Sequence, residues 1–118
     1  MSSIDLPHHH CEWNPELNKV ADIDSFQKAA DIFRLLGDGS RLRIFWLLCH
    51  CEECVINISA LVNMSSPAVS HHLRQLKISG LITSRRDGKE MYYKAADTEE
   101  SKVLHLAIEK ILEITCPG

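Results

Sequence analysis

The sequence predicts a mainly helical domain that carries one β-hairpin. Apolar residues recur at helical spacing over most of the chain after residue 20. Two short strand-like runs flank Asp87-Gly88, a dipeptide that is typical of tight hairpin turns. A length of 118 residues corresponds to one domain, and added stability from a dimer interface or a bound metal would be unsurprising in a chain this short.

The first 20 residues hold two prolines and three consecutive histidines and show no clear periodicity. We interpret residues 1–20 as a flexible arm and residues 21–118 as the folded domain. No segment resembles a secretion signal, and no apolar stretch approaches the roughly 18 residues that a membrane-spanning helix needs. Five cysteines, an odd number, fit poorly with a disulfide framework. We therefore expect a cytoplasmic protein with reduced thiols.

Each helix is predicted from its caps and from the spacing of its apolar residues. The first is expected to have Asp24 as its N-cap and to end before Gly37. The second is apolar on nearly all sides, which predicts burial in the core. A later helix opens at Ser66-Pro67, with the serine as N-cap and the proline at the first helical position. The predicted helices cover 24–36, then a segment that follows Asp38 or Ser40 and runs through Leu48, then 56–62, 67–79 and 99–114, and the predicted strands cover 81–85 and 89–94.

The charge distribution predicts a local contact with a polyanion. The chain has a net charge of −3, yet segment 65–94 holds six basic residues against two acidic ones. The helix over 67–79 carries side chains that can read base edges in the major groove, and the hairpin tip carries side chains that can contact phosphates. The alternatives are an ordinary amphipathic helix and a solvated basic face. The predicted DNA-binding residues are Ser66, Ser70, His71, Arg74 and Gln75 on the helix and Arg85, Arg86 and Lys89 on the hairpin.

The element order, helices followed by a turn, a helix with a polar outer face and a basic hairpin, is that of a winged helix-turn-helix. The stretches LLGDGSRLRIFWLL and INISALVNMSSPAVSHHLRQLKISGLITSRRDGKEMYY resemble the ArsR/SmtB family of metal-responsive bacterial repressors. The resemblance covers roughly residues 23–113. It implies a homodimer through the terminal helices that binds operator DNA when metal-free and releases it when metal binds. The sequence DGSR stands where the family commonly has Asp-Pro-Thr-Arg, which should alter only the start of the second helix.

Three cysteines and a histidine fall within six positions after an apolar run, at Cys49, His50, Cys51 and Cys54. Thiolates and imidazoles favour zinc, cadmium, lead or copper(I) over magnesium or calcium. The resemblance implies a thiolate ligand at Cys54, whereas its common second cysteine falls on Ile56 and an acidic ligand falls on Asn57. It draws the remaining ligands from the N-terminal arm. The expected metal ligands are Cys11, His10, Cys49, Cys51 and Cys54, and the expected effector is cadmium, lead or zinc.

Several further residues stay open as ligands. Cys49 ends an apolar helix and can equally be a buried thiol. His8 and His9 extend the histidine run, and Cys116 is interpreted as a free thiol. The second metal site that the resemblance implies, at the dimer interface, is interpreted as lost or degraded, with His105 at the wrong spacing to repair it. Its four positions fall on Asp97, Glu99, Lys110 and Glu113.

The last helix carries an apolar stripe that includes Ile108 and Leu112, which we expect at the dimer interface. Two alternatives to the metal-responsive repressor remain. Cys51-x-x-Cys54 could be a thiol redox switch on the same DNA-binding fold. The cysteines could instead hold structural zinc in a module that binds protein. An enzyme is not expected, because the sequence offers no nucleophile–base–orienter set and no phosphate loop.

Overall fold

A computed structural model describes residues 7–8 and 14–115 of the chain. The chain divides into two compact units, with the boundary between Phe33 and Arg34. Within the described ranges, no helix is both long and apolar enough to cross a bilayer. A 3-10 helix, Pro15–Ala21, comes first. The other elements are α1 Ile23–Leu36, α2 Gly39–His50, β1 Glu53–Cys54, α3 Val55–Val62, α4 Ser66–Ile78, β2 Ile82–Asp87, β3 Glu90–Ala95 and α5 Glu99–Thr115.

The first unit holds the 3-10 helix and most of α1. Asn14 caps the 3-10 helix by accepting a hydrogen bond from the Glu16 amide at 2.9 Å. Helix α1 begins at Ile23, one residue before its predicted cap. Asp22 accepts hydrogen bonds from the Ser25 amide at 3.2 Å and the Ser25 hydroxyl at 2.7 Å. The predicted N-cap at Asp24 is therefore wrong, because the capping carboxylate lies just ahead of the helix.

The second unit is built around α2, as its all-round apolarity predicts. Ile44, Phe45 and Leu48 of α2 are buried. Asp38 caps this helix by accepting a hydrogen bond from the Arg41 amide at 3.0 Å. The capping oxygen satisfies an amide that has no partner inside the helix, so α2 begins at Gly39.

Helix α4 packs its apolar face into the same core and leaves its polar face outside. Val69, Leu73 and Leu76 are buried, which confirms the predicted core side of this helix. The predicted N-cap is wrong by one residue. Ser65, and not Ser66, accepts the capping hydrogen bond from the Ala68 amide at 3.3 Å. Both serines fit the pattern, and only the backbone shows which is extended.

The three strands form an antiparallel sheet in the order β1-β3-β2. Asp87 pairs with Glu90, so the loop of the hairpin is Gly88 and Lys89 and not the predicted Asp87-Gly88. Gly88 has a φ of 64°, which a residue without a side chain adopts freely. The two-residue strand β1 has no counterpart in the prediction. The register of β1 joins Glu53 to Tyr93 and Cys54 to Tyr92.

Helix α5 closes the second unit. The buried Ser101 hydroxyl donates to the Leu81 carbonyl at 3.0 Å, which fixes the start of the helix on the sheet. Ile108 is only 7% exposed within its own protomer, so it belongs to the core and its predicted place at the dimer interface is wrong. Leu112, by contrast, is 41% exposed. The architecture is a mainly helical winged helix-turn-helix with α4 as its second helix and β2–β3 as its wing, as predicted.

Candidate DNA interface and metal-binding residues

The exposed face of α4 presents part of the predicted DNA-reading set. Arg74 and His71 are exposed, and Ser70 is half-buried. The Ser66 hydroxyl lies 3.2 Å from the hydroxyl of Ser59 on α3. Gln75 is half-buried, and its side-chain oxygen accepts a hydrogen bond from Arg41. Of the five predicted DNA-binding residues on α4, Arg74 and His71 are therefore the most accessible for a contact with a base or a phosphate.

Arg41 contacts the DNA-facing helix α4 and was not among the residues predicted from the sequence. Its Nε donates to the Leu35 carbonyl at 2.6 Å, and its Nη1 lies 3.3 Å from His72 Nδ1 and donates to Gln75. Arg41 therefore ties the start of α2 to the middle of α4. Burial lowers the pKa of His72, which disfavours a second positive charge beside the guanidinium. In the sequence, Arg41 is the arginine of the DGSR stretch, and this motif could have identified it.

The wing carries basic side chains in two different states. The Arg85 guanidinium donates to Glu52 Oε1 from Nε at 2.9 Å and from Nη2 at 2.6 Å, and it stands 5.0 Å from the centre of the Tyr92 ring. These hydrogen bonds raise the pKa of Arg85 and lower that of Glu52. Arg86 and Lys89 are exposed. The wing therefore offers Arg86 and Lys89 to a polyanion, while Arg85 first has to leave its carboxylate.

The three described cysteines lie at the end of α2 and the start of α3. Cys54 is buried, ends β1 and is the N-cap residue of α3. Cys51 Sγ donates to the Leu47 carbonyl at 3.5 Å, and burial raises the pKa of this thiol. Burial, reinforced by the charge of Glu109, raises the pKa of the half-buried Cys49 thiol to about 11. In the described ranges, these thiols are not gathered into a group of three ligand atoms.

The arm residues of the predicted metal site fall outside the described part of the chain. Cys11, His10 and His9 lie in the undescribed range 9–13, and Cys116 lies in the range 116–118. His8 is described and exposed. The structure therefore leaves the predicted pairing of Cys11 with Cys54 as a prediction.

The residues at the second metal site implied by the resemblance make ion pairs with lysines. Asp97 Oδ1 lies 3.0 Å from Lys102 Nζ, and Glu113 Oε2 lies 3.7 Å from Lys110 Nζ. Lys110 itself stands at one of the four ligand positions. A cation bound there would compete with these ammonium groups.

A different cluster joins the end of α2 to α5. His50 Nε2, His105 Nε2 and Glu109 Oε1 lie 3.1 Å from one another in all three pairs. Trp46 Nε1 donates to the same carboxylate oxygen at 3.0 Å. The hydrogen bond with His105, followed by those with His50 and Trp46, lowers the pKa of Glu109. His105 was set aside on spacing along one helix, and its partner His50 comes from another helix.

Comparison with known proteins places these features in a family context. The profile of the bacterial regulatory protein, arsR family, matches residues 38–84, from the α2 cap into the wing. The chain is 38% identical over 98 residues to the transcriptional repressor SmtB homolog of Synechocystis, covering 82% of this chain and 74% of that protein. It is 36% identical over 86 residues to the cadmium resistance transcriptional regulatory protein CadC of Listeria innocua, covering 72% of this chain and 71% of that protein.

The solved structures extend the likeness to the whole architecture. The homodimeric winged helix-turn-helix DNA-binding domain Mb0332 from Mycobacterium bovis, a possible ArsR-family regulator, superposes with a TM-score of 0.66 at 28% identity. The match covers 87% of this chain and 90% of that chain. HlyU from Vibrio vulnificus gives a TM-score of 0.69 at 26% identity, covering 80% of this chain and 97% of that chain.

Proposed function

Because the chain belongs to the ArsR family of bacterial regulatory proteins, we propose that it is a homodimeric repressor that a soft metal ion releases from operator DNA. The family is one of DNA-binding transcriptional regulators and not of enzymes. The observation that carries the proposal is the position of Cys54, which is both the last residue of β1 and the N-cap residue of α3. A metal-binding thiolate there sits at the junction of the two elements that lead to the DNA-binding surface.

The DNA-binding part of the proposal uses α4 and the wing. Helix α4 enters the major groove with Arg74 and His71 on its exposed face, supported by Ser66, Ser70 and Gln75. Arg86 and Lys89 contact phosphates from the wing tip, and Arg85 joins them when it leaves Glu52. A dimer presents two such heads, so the operator is palindromic.

The metal-binding part uses Cys54 together with Cys11 and His10 of the arm, residues 1–20, with Cys51 or Cys49 completing the set. Thiolate and imidazole ligands fit cadmium, lead or zinc, of which zinc and cadmium take about four in a tetrahedral array. Strand β1 pairs with wing strand β3 through Cys54 and Tyr92. A displacement of Cys54 on metal binding is therefore transmitted directly to the wing.

Metal binding and DNA binding then oppose each other because Cys54 is connected to both parts of the DNA-binding surface. Helix α3 follows Cys54, and the Ser59 hydroxyl of α3 lies against Ser66 at the start of α4. A metal-induced shift of Cys54 therefore changes the position of α4 as well as the wing. We expect a coupling of about 1–3 kcal/mol between the two ligands, with equal reciprocal effects.

The thiol redox alternative is less well supported by the environment of its cysteines. A reactive thiol needs a lowered pKa. Burial and the charge of Glu53 instead raise the pKa of Cys51, which leaves little thiolate at neutral pH. A metal ion provides its own positive charge and deprotonates such a thiol on binding.

The test is fluorescence anisotropy with a duplex selected from a random library by the metal-free protein, followed by titration with cadmium. Wild type is expected to bind the duplex and to release it as a thiolate-to-cadmium charge-transfer band grows. Cys54→Ser and Cys11→Ser should keep metal-free affinity, lose band intensity and stay bound in cadmium. Cys116→Ser is the matched control and should behave like wild type.

Full release of DNA from Cys54→Ser would overturn the metal site. Release by an oxidant such as diamide, with no effect of cadmium, zinc or lead, would replace metal with redox chemistry. A protein that binds zinc constitutively and shows no salt-dependent DNA binding would instead be a structural module.

A further inference from the structure

We propose that His50, His105 and Glu109 form a separate binding site for a zinc-type divalent ion, such as zinc, cobalt(II) or nickel(II), which joins α2 to α5 within one protomer. The site contains no thiolate and no arm residue, so its ligands differ from those of the soft-metal site proposed above. In the described ranges it is the one group of three or more histidine, cysteine or carboxylate side chains with ligand atoms close enough to share an ion.

The distances fit one face of a tetrahedron. The two Nε2 atoms and Glu109 Oε1 form a triangle with every side 3.1 Å long. In a tetrahedral zinc site with bonds of about 2.0–2.1 Å, neighbouring ligand atoms stand about 3.3–3.4 Å apart. Small side-chain rotations therefore bring all three atoms to bonding distance of one ion placed above the triangle.

Hydrogen bonds alone do not account for three equal contacts. Each imidazole Nε2 has a single lone pair or a single N–H, which lies in the ring plane and points at one partner. If both rings were protonated to pair with Glu109, two positive charges would face each other across the 3.1 Å between His50 and His105. A cation above the triangle satisfies both nitrogen lone pairs and the carboxylate together.

The surroundings support and orient the ligands. Trp46 Nε1 donates to Glu109 Oε1 at 3.0 Å, an outer contact of the kind that orients metal ligands. The Trp46 and His50 rings lie 4.4 Å apart between centroids, and the His50 and His105 rings meet edge-on at 4.8 Å. Packing of this kind limits ring rotation, so the ligands lose little freedom when an ion binds.

The site is open to solvent on one side. The His50 and His105 side chains are 44% and 30% exposed, so an ion can reach them. Both also line a cleft of about 330 Å³ that includes Asp97. Three protein ligands and an open fourth position lead us to expect a water molecule as the fourth ligand.

The donor set selects the class of ion. Two imidazoles and one carboxylate suit zinc, cobalt(II) and nickel(II), whereas cadmium and lead favour the thiolates elsewhere in the chain. Because the ion links the last turn of α2 to α5, it should raise the thermal stability of the folded protomer. This separates it from an ion at Cys54, whose expected effect is release of DNA.

Cobalt(II) titration of the full-length protein tests the site. The Cys11→Ser/Cys54→Ser protein removes the proposed soft-metal site and is expected to keep the visible d–d bands of tetrahedral cobalt without a thiolate charge-transfer band. His105→Gln and Glu109→Gln should lose these bands and the metal-induced rise in Tm. Trp46→Phe keeps an aromatic ring and should weaken zinc binding by about tenfold or more.

Glu113→Gln is the matched control, because Glu113 is an exposed carboxylate on the same helix at a position of the degraded second site. It should bind cobalt like wild type. In the Cys11→Ser/Cys54→Ser protein, zinc should also shift the imidazole nitrogen-15 resonances of two histidines, which the His50→Gln and His105→Gln spectra assign. Cobalt bands that survive His105→Gln and vanish in Glu113→Gln, or zinc that leaves every imidazole resonance unchanged, would overturn the site.

Discussion

Asp38 and Arg41 stand three residues apart at the start of α2 and serve different purposes. Asp38 holds the first turn together through its hydrogen bond from the Arg41 amide. The Arg41 side chain reaches out to the Leu35 carbonyl and to Gln75 on α4. The family commonly has a proline where Gly39 stands. The cap made by Asp38 and the contacts of Arg41 are both present despite this change, because neither involves a side chain at position 39.

At the scale of single residues, we predict that the stability contributed by Asp38 depends on pH. The Arg41 amide hydrogen bond lowers the pKa of Asp38 from its ordinary value of 3.8. A lowered pKa means that its contribution is present above the unfolded pKa and is lost as pH falls through the folded pKa. Asp38→Asn should therefore have a lower Tm than wild type near neutral pH, and the difference should shrink in acid.

Thermal unfolding followed by circular dichroism between neutral and acidic pH measures this difference. Asp24→Asn is the control, because Asp24 is an exposed aspartate and does not cap its helix. A gap between Asp38→Asn and wild type that stays constant with pH would show that the carboxylate charge is not the stabilising feature.

At the scale of elements, the reading helix and the wing should contribute differently to DNA binding. If Arg74 makes a bidentate contact with a base, Arg74→Ala should weaken the free energy of binding to the selected duplex by about 1–3 kcal/mol and reduce discrimination between bases. Arg86→Ala should weaken binding to all duplexes alike and flatten the salt dependence by about one unit. Anisotropy titrations over a salt series on selected and scrambled duplexes separate the two effects.

Within the wing, Arg85 can be compared with Arg86 for its effect on the salt dependence of DNA binding. Its two hydrogen bonds to Glu52 have to break before it contacts a phosphate. Arg85→Ala should therefore change the salt dependence less than Arg86→Ala does. Lys102→Ala, an exposed basic residue on α5, should leave it unchanged. A larger effect of Arg85 than of Arg86 would mean that the Glu52 pair does not hold in the complex.

At the scale of the whole molecule, α5 has two apolar faces. Ile108 faces the core of its own protomer, with 7% of its surface exposed. The other apolar side chains form a separate exposed stripe that a second copy of the chain would cover in a homodimer. The members of this stripe and their exposed fractions are Val103 at 55%, Leu106 at 61%, Ile111 at 57%, Leu112 at 41% and Ile114 at 76%.

We predict that Ile111→Asp and Ile108→Asp fail in different ways. Ile111→Asp places charge on the exposed stripe and should give a folded monomer. Ile108→Asp buries a charge without a partner and should unfold the chain. Sedimentation measures the mass and circular dichroism the helix content, with Lys102→Asp on the polar side of α5 as control. A folded Ile111→Asp dimer would mean that α5 does not form the interface.

Local sequence determined most of the secondary structure and the DNA-facing side of α4. Helical spacing places Val69, Leu73 and Leu76 on one side, so Arg74 falls on the other without reference to any distant residue. Caps and turns were predicted to within a residue or two. The neighbouring residues Ser65 and Ser66 are chemically alike, and the backbone conformation determines which of them is the N-cap.

Contacts between distant residues decided the rest. His50 lies 55 positions before His105 and 59 before Glu109, and no spacing rule along one helix relates them. Strand β1 is two residues long and exists because β3 is there to pair with it. Helical periodicity predicts an apolar stripe on α5, but only packing against the other elements determines that Ile108 is buried and Ile111 is exposed.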